Sequence, residues 1–240
     1  MNKVLKNKFI LVLALLLSIF VIGCGGQGGI TPPDESKFNE ANYKMDSVYT
    51  FEKELTLEEV KAAINSANEA FSSIKTYSYT NKLTGSYEGD YSFEGITVVD
   101  ASGATPKASV ELTGSATYAF YMTDNKLYFN YNGYKVYYTH EAGVEGFVST
   151  VQAQIGAFEA FSVEDITAES LKFAGVDKDK ATVVNYLATE GTNVVIVIHN
   201  SKIAKVLYSN MDGTEYVMVY NYESATVTLP ADLDSYTKAN

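Results

Sequence analysis

One cysteine, two histidines, 19 tyrosines and 29 carboxylates are the residues of this 240-residue chain from which chemistry could be built. Their spacing excludes most of it. His140 is followed by Glu141 but by no second histidine at the metalloprotease spacing, and His199 stands beside Asn200 at the end of an apolar run. Asp177-Lys178-Asp179 opens like a calcium loop, yet Thr182 occupies the sixth position, where the turn takes glycine, and no glutamate falls at the twelfth. The glycines at 23, 25, 26, 28 and 29 precede no phosphate-loop lysine, and no Gly-x-Ser-x-Gly elbow occurs. A single cysteine cannot form a disulfide within the chain, and cysteine and histidine together are too few for a multi-ligand zinc site. Carboxylates are plentiful, but no spacing singles out a pair. The expectation is a protein that is not an enzyme, with no cofactor and no metal.

The balance of charge narrows the partners. All 18 basic residues are lysine, and the formal net charge is −11. A nucleic-acid partner, which needs a basic face against its phosphates, is excluded on that ground. At 46% apolar and 20% charged residues, the chain is too apolar to remain disordered.

Residues 1–24 read as an address. Lys3, Lys6 and Lys8 precede an apolar run from Phe9 to Ile22, broken by one serine and followed by Gly23 and Cys24. Fourteen helical residues span roughly 21 Å, short of the ~30 Å hydrocarbon core, so the run is too short for a permanent span. Val21-Ile22-Gly23-Cys24 resembles the lipobox of bacterial lipoproteins. That resemblance implies cleavage before Cys24 and a diacylglyceryl group on its thiol, with residues 1–23 as the signal peptide. Two or more acyl chains hold a protein on a membrane where one does so marginally. The expected location is the extracytoplasmic face of a cell membrane, reached through acylated Cys24. Residues 24–54, rich in glycine and proline at their start, read as a tether with an r.m.s. span of about 30 Å whose last part, with Phe38, Tyr43, Val48 and Phe51, is suited to dock on the body, and residues 55–240 as one domain.

Two amphipathic helices are expected in that domain. Leu57, Val60, Ile64, Ala67, Phe71 and Ile74 form one apolar stripe, opened by a capping box of Thr56 and Glu59 and a staple of Leu55 and Val60. Val144, Val148, Val151, Ile155 and Phe158 form a second. The rest alternates with period two between turn signals, of which Asn132-Gly133 is the strongest. Strands are expected near 77–83, 91–99, 110–122, 126–131, 134–139, 171–174, 181–188, 194–199, 203–209, 214–222 and 225–229. The fold class is α+β: a strongly curved antiparallel half-barrel of roughly ten or eleven strands, with two or more helices over its concave face.

This order resembles the LolA/LppX-like lipoprotein-domain superfamily over residues 55 to 233. The carrying features are the helix from Leu57 to Ile74 running into Tyr77-Ser78-Tyr79, the tyrosine-rich hairpin from Lys126 through Tyr138, and the terminal meander from Tyr216 to Tyr222 that leads to Thr228-Leu229-Pro230. Many relatives carry tryptophan near the hairpin, where this chain has Tyr134, Tyr137 and Tyr138. The resemblance implies a lipid or other hydrophobic ligand held between sheet and helices. Candidate cavity-lining residues are Val60, Ile64, Ala67 and Phe71 on the first helix, Val148, Val151 and Ile155 on the second, and Tyr118, Phe120 and Met122 on the sheet. An alternative of a different class is an envelope interaction module that fills the concavity with its own side chains and binds another envelope protein. Val194 to Ile198 is apolar on both faces, so both sides of that strand should be covered.

Overall fold

The computed structural model describes residues 50–85, 90–105, 107–123, 126–139, 163–188, 191–210, 213–223 and 225–239. The signal, Cys24, most of the tether and the second amphipathic stripe, with Val148, Val151 and Ile155, lie outside the described residues.

The described residues form one sheet of 13 strands: β1 (Phe51–Glu54), β2 (Thr76–Gly85), β3 (Tyr91–Asp100), β4 (Lys107–Gly114), β5 (Tyr118–Thr123), β6 (Lys126–Tyr131), β7 (Tyr134–Thr139), β8 (Leu171–Asp177), β9 (Thr182–Leu187), β10 (Asn193–His199), β11 (Lys202–Ser209), β12 (Glu215–Asn221) and β13 (Thr237–Lys238). Their spatial order is β1-β8-β9-β10-β11-β12-β2-β3-β4-β5-β6-β7-β13, so the sheet is open at β1 and β13. It curves without closing, and every pairing is antiparallel except β13 on β7. That architecture agrees with the half-barrel that the resemblance to LolA/LppX-like domains implies.

Among the described residues there is one α-helix, α1 (Leu57–Ser72). Its start is built as the sequence suggests. The Glu59 N–H donates to Thr56 Oγ1 at 3.4 Å, and the Thr56 N–H donates to Glu59 Oε2 at 2.9 Å. A hydrogen-bonded ion pair with Lys53, together with the two Thr56 donors, holds the Glu59 carboxyl at about 2, so the cap stays charged until strongly acidic pH. Val60, Ile64 and Ala67 are buried against the sheet, where α1 lies over β10 and β11.

The strand count departs from the sequence reading at four places. Residues 51–54, assigned there to the tether, form β1 because Phe51 packs on the sheet and β1 pairs with β8. The stretch 110–122 is not one long strand. It breaks after Gly114, whose φ of +145° belongs to glycine and where a Cβ would lie 2.0 Å from the Ser92 carbonyl oxygen. The two parts fold back as β4 and β5, so Val110 faces Phe120 and Leu112 faces Tyr118. Residues 225–229 make no strand: buried Val227 and partly buried Leu229 alternate because they pack, not because they pair. The last strand is instead Thr237–Lys238, beside β7.

Directly paired residues project to the same side of a sheet, so the register sorts the side chains into two faces. On the side that α1 covers, here called the concave side, α1, Tyr77, Tyr79, Tyr186, Ile196, Val206 and Tyr220 share one apolar cluster. A second cluster on that side joins Leu83, Phe93, Leu112, Tyr118, Phe129 and Val136. The convex side has two patches of its own. Val183, Val195, Val197 and Leu207 pack with Phe51, which explains why Val194 to Ile198 is apolar throughout and buried at every position. Over β5 to β7 the C-terminal segment lays Leu229, Leu233 and Tyr236 on Ala119, Tyr121, Tyr128 and Tyr137, and the Lys135–Asp232 ion pair ties it down.

Candidate functional site

The two faces differ in charge more sharply than in hydrophobicity. In β2 to β7, β9, β10 and β12, every lysine, aspartate and glutamate falls on the convex side, among them Lys82, Glu94, Glu111, Lys126, Lys135 and Glu215. On β11, Lys205 does the same, paired with convex Val197, while Lys202 at the strand's start lies over the Tyr222 ring at 5.3 Å. The concave face of these strands is lined by aliphatic and aromatic side chains with a few uncharged polar ones.

Rings form two groups on that face, one beside α1 and one on β3 to β6. Tyr79 and Tyr220 lie 5.1 Å apart, Phe93 and Tyr118 5.4 Å, Tyr118 and Tyr131 4.9 Å, and Phe120 and Phe129 4.8 Å between centroids. Phe71 from α1 stands 5.1 Å from Tyr77 and meets Tyr220 and Tyr222 edge-on. These separations lie in the range that aromatic pairs prefer, about 4.5 to 7 Å.

Between the two apolar clusters runs a polar belt. The Tyr216 hydroxyl donates to Asn81 Oδ1 at 2.6 Å, and Asn81 Nδ2 donates to Thr97 Oγ1 at 2.9 Å. Asn81 is 4% and Thr97 1% exposed, and Tyr216 packs against both clusters. Burial raises the pKa of Tyr77, Tyr79, Tyr208, Tyr216 and Tyr220, and pushes Tyr118 up to about 12. At physiological pH these groups are therefore neutral hydroxyls.

The sequence-derived candidates separate into two groups. Val60, Ile64, Ala67 and Met122 are buried together in the cluster beneath α1, with Phe71 half-buried beside it. Tyr118 and Phe120 belong to the second cluster, on the half of the face that α1 does not reach. The belt of Asn81, Thr97 and Tyr216 was missed. Its signal is present in the sequence, because Asn81 stands in register with Tyr77, Tyr79 and Leu83, where alternation calls for an apolar residue. Among the described residues no group of histidine, cysteine, aspartate and glutamate could hold a metal ion, and no helix is long and apolar enough to cross a membrane.

An open curved sheet whose strands β2 to β7, β9, β10 and β12 keep their charged side chains on the convex side is the geometry to set beside known proteins. No family model matches the chain, and no curated protein matches it. Solved structures do. The crystal structure of LprF from Mycobacterium bovis is similar at 9% identity and a TM-score of 0.43, covering 72% of this chain and 96% of that one. A DUF1329 family protein from Desulfovibrio piger ATCC 29098 is similar at 7% identity and a TM-score of 0.31, covering 71% of this chain and 95% of that one.

Proposed function

We propose that this chain is a membrane-anchored extracytoplasmic lipoprotein that holds a lipid or other hydrophobic ligand on the concave face of its half-barrel. The observation that carries the reading is the removal of charge from that face while the convex face of the same strands keeps its lysines and carboxylates. A face presented to water gains nothing from such sorting; one that receives an apolar molecule does. The ligand region is placed over Leu83, Phe93, Leu112, Tyr118, Phe120 and Phe129, beyond the reach of α1. Under α1 the helix itself packs on the face, with Val60, Ile64 and Ala67 at most 2% exposed, while Leu83, Phe93, Leu112, Tyr118 and Phe129 are buried at 3% to 8% exposure.

That burial favours a second reading, an interaction module whose concavity is occupied by its own side chains and which binds another envelope protein. Native mass spectrometry of the Cys24→Ala chain decides between them, because any lipid it carries is then a ligand and not the anchor. Co-purified apolar species, together with uptake of the neutral dye Nile red, are expected for the carrier. A chain with no bound species that leaves Nile red dark is the result expected of the module.

Anchoring has its own test. Cys24→Ala is expected to shift the protein from the membrane to the soluble fraction, because the acyl chains are its proposed hold on the membrane. Membrane association that survives a carbonate wash in this variant, with residues 1–23 retained, would show the apolar run to be a true span.

A further inference from the structure

We propose that the polar end of the ligand is uncharged, and that Asn81, Thr97 and Tyr216 seat it: a hydroxyl, an ester or a protonated carboxyl is accepted there, and an ionised head group is refused. The inference rests on the ligand reading of the concave face and narrows the class of molecule that face takes.

Two observations carry it. The first is that the belt borders the second apolar cluster, so a molecule whose hydrocarbon lies over Leu83, Phe93 and Leu112 places its polar end at the belt. The Asn81 amide has two N–H donors and gives one to Thr97, which leaves donor capacity for an incoming oxygen. The second is the distribution of charge around the belt. On β2, β3, β4, β11 and β12 the nearest ionisable groups are Lys82, Glu94, Glu111, Lys205 and Glu215, all on the opposite side of the sheet. Lys202 sits with Tyr222 at the far end of β2, beyond Ser78 and roughly 13 Å along the strand from Asn81. On α1, Glu58, Glu59, Lys61 and Glu69 lie off the buried stripe of Val60, Ile64 and Ala67. On the belt's own side the neighbouring titratable groups are Tyr79, Tyr208, Tyr216 and Tyr220, with Tyr77, Tyr222 and Tyr118 farther along the face, and burial keeps all of these protonated. An ion placed at the belt would lose its hydration and meet no counter-charge.

The test compares two molecules that differ in one respect. Decanol and decanoic acid compete with Nile red for the Cys24→Ala chain in a series from about pH 4 to about pH 8, across the titration of a simple carboxyl. Decanol is expected to bind equally at every pH. Decanoic acid is expected to match it at the acid end and then weaken tenfold per pH unit above its own pKa, because only the neutral acid is taken up. Equal affinity for the acid at both ends of the series overturns the proposal while leaving the carrier reading intact. A chain that binds neither dye nor decanol removes both. Asn81→Leu then locates the seat: decanol affinity is expected to fall several-fold with Nile red unchanged, and an unchanged decanol affinity in a variant that melts like the parent overturns the placement. If that variant does not fold, the pH series on the parent still decides the question of charge.

Discussion

Above about pH 10, where tyrosine ionises in an unfolded chain, this protein is expected to lose its structure within one to two pH units. Tyr77, Tyr79, Tyr208 and Tyr220 are between 1% and 8% exposed, and burial raises the pKa of each. A raised folded-state pKa means that the native protein keeps a proton which the unfolded chain releases. The stability linked to these groups is therefore fully present below about pH 10 and declines as pH climbs toward the folded values. Each such group removes about 1.4 kcal/mol per pH unit in that window, so four remove about 5.5 kcal/mol per unit, against a total stability of roughly 5 to 15 kcal/mol for a domain. Tyrosinate absorbance followed together with far-ultraviolet circular dichroism reads the outcome. The two should change in one cooperative step between about pH 11 and pH 12, with only exposed tyrosines titrating before it. Gradual ionisation of all tyrosines with the dichroism intact would mean that the concave hydroxyls are open to water, which removes the basis for a dry ligand face.

Those tyrosines also show how far the sequence could be read. Their alternation in 77–83 and 216–222 assigns them to strands and to one side of each, since period two is a backbone property that single residues reveal. The turn at Asn132-Gly133 is equally local: both residues adopt positive φ, at 47° and 86°, as the hairpin requires. The helix start at Thr56 follows from side chains three residues apart. What period two does not contain is which strand lies beside which. That β12 pairs with β2, bringing Tyr216 to Asn81 across 135 positions, depends on closing a long loop and leaves no mark in either segment. Strand ends were misread for a related reason. The alternation through 110–122 is genuine, but a hairpin in which Val110 faces Phe120 preserves the same face as a straight strand would. Residues 225–229 alternate because a strap packed on a sheet also shows every second side chain to it.

Gly95 is where sheet curvature, and with it the concave site, can be tested by one atom. It lies on β3 between Asn81 of β2 and Leu112 of β4, in the same row as the polar belt. A Cβ built there would stand 1.7 Å from the Glu111 carbonyl oxygen and 2.9 Å from the Leu112 Cα. Both are backbone atoms of the neighbouring strand, so no side-chain rotation relieves the clash and the β3–β4 ladder itself must move. Gly95→Ala is therefore expected to cost at least the upper end of the ~1–3 kcal/mol typical of overpacking, and to shift the urea midpoint accordingly. Gly103→Ala supplies the control. Its nearest atoms are 4.0 Å away, and its φ lies outside the left-handed region, so its effect should stay within about 0.5 kcal/mol. If the two variants unfold at the same urea concentration, the close approach of β3 and β4 is not needed for the bend. If Gly95→Ala folds but with a flatter sheet, Nile red binding should fall in step with stability, because Phe93 and Leu112 of the proposed ligand face flank this crossing. A variant that loses stability and keeps full dye affinity would separate the bend from the ligand face, and would place the dye against the part of the sheet beneath α1.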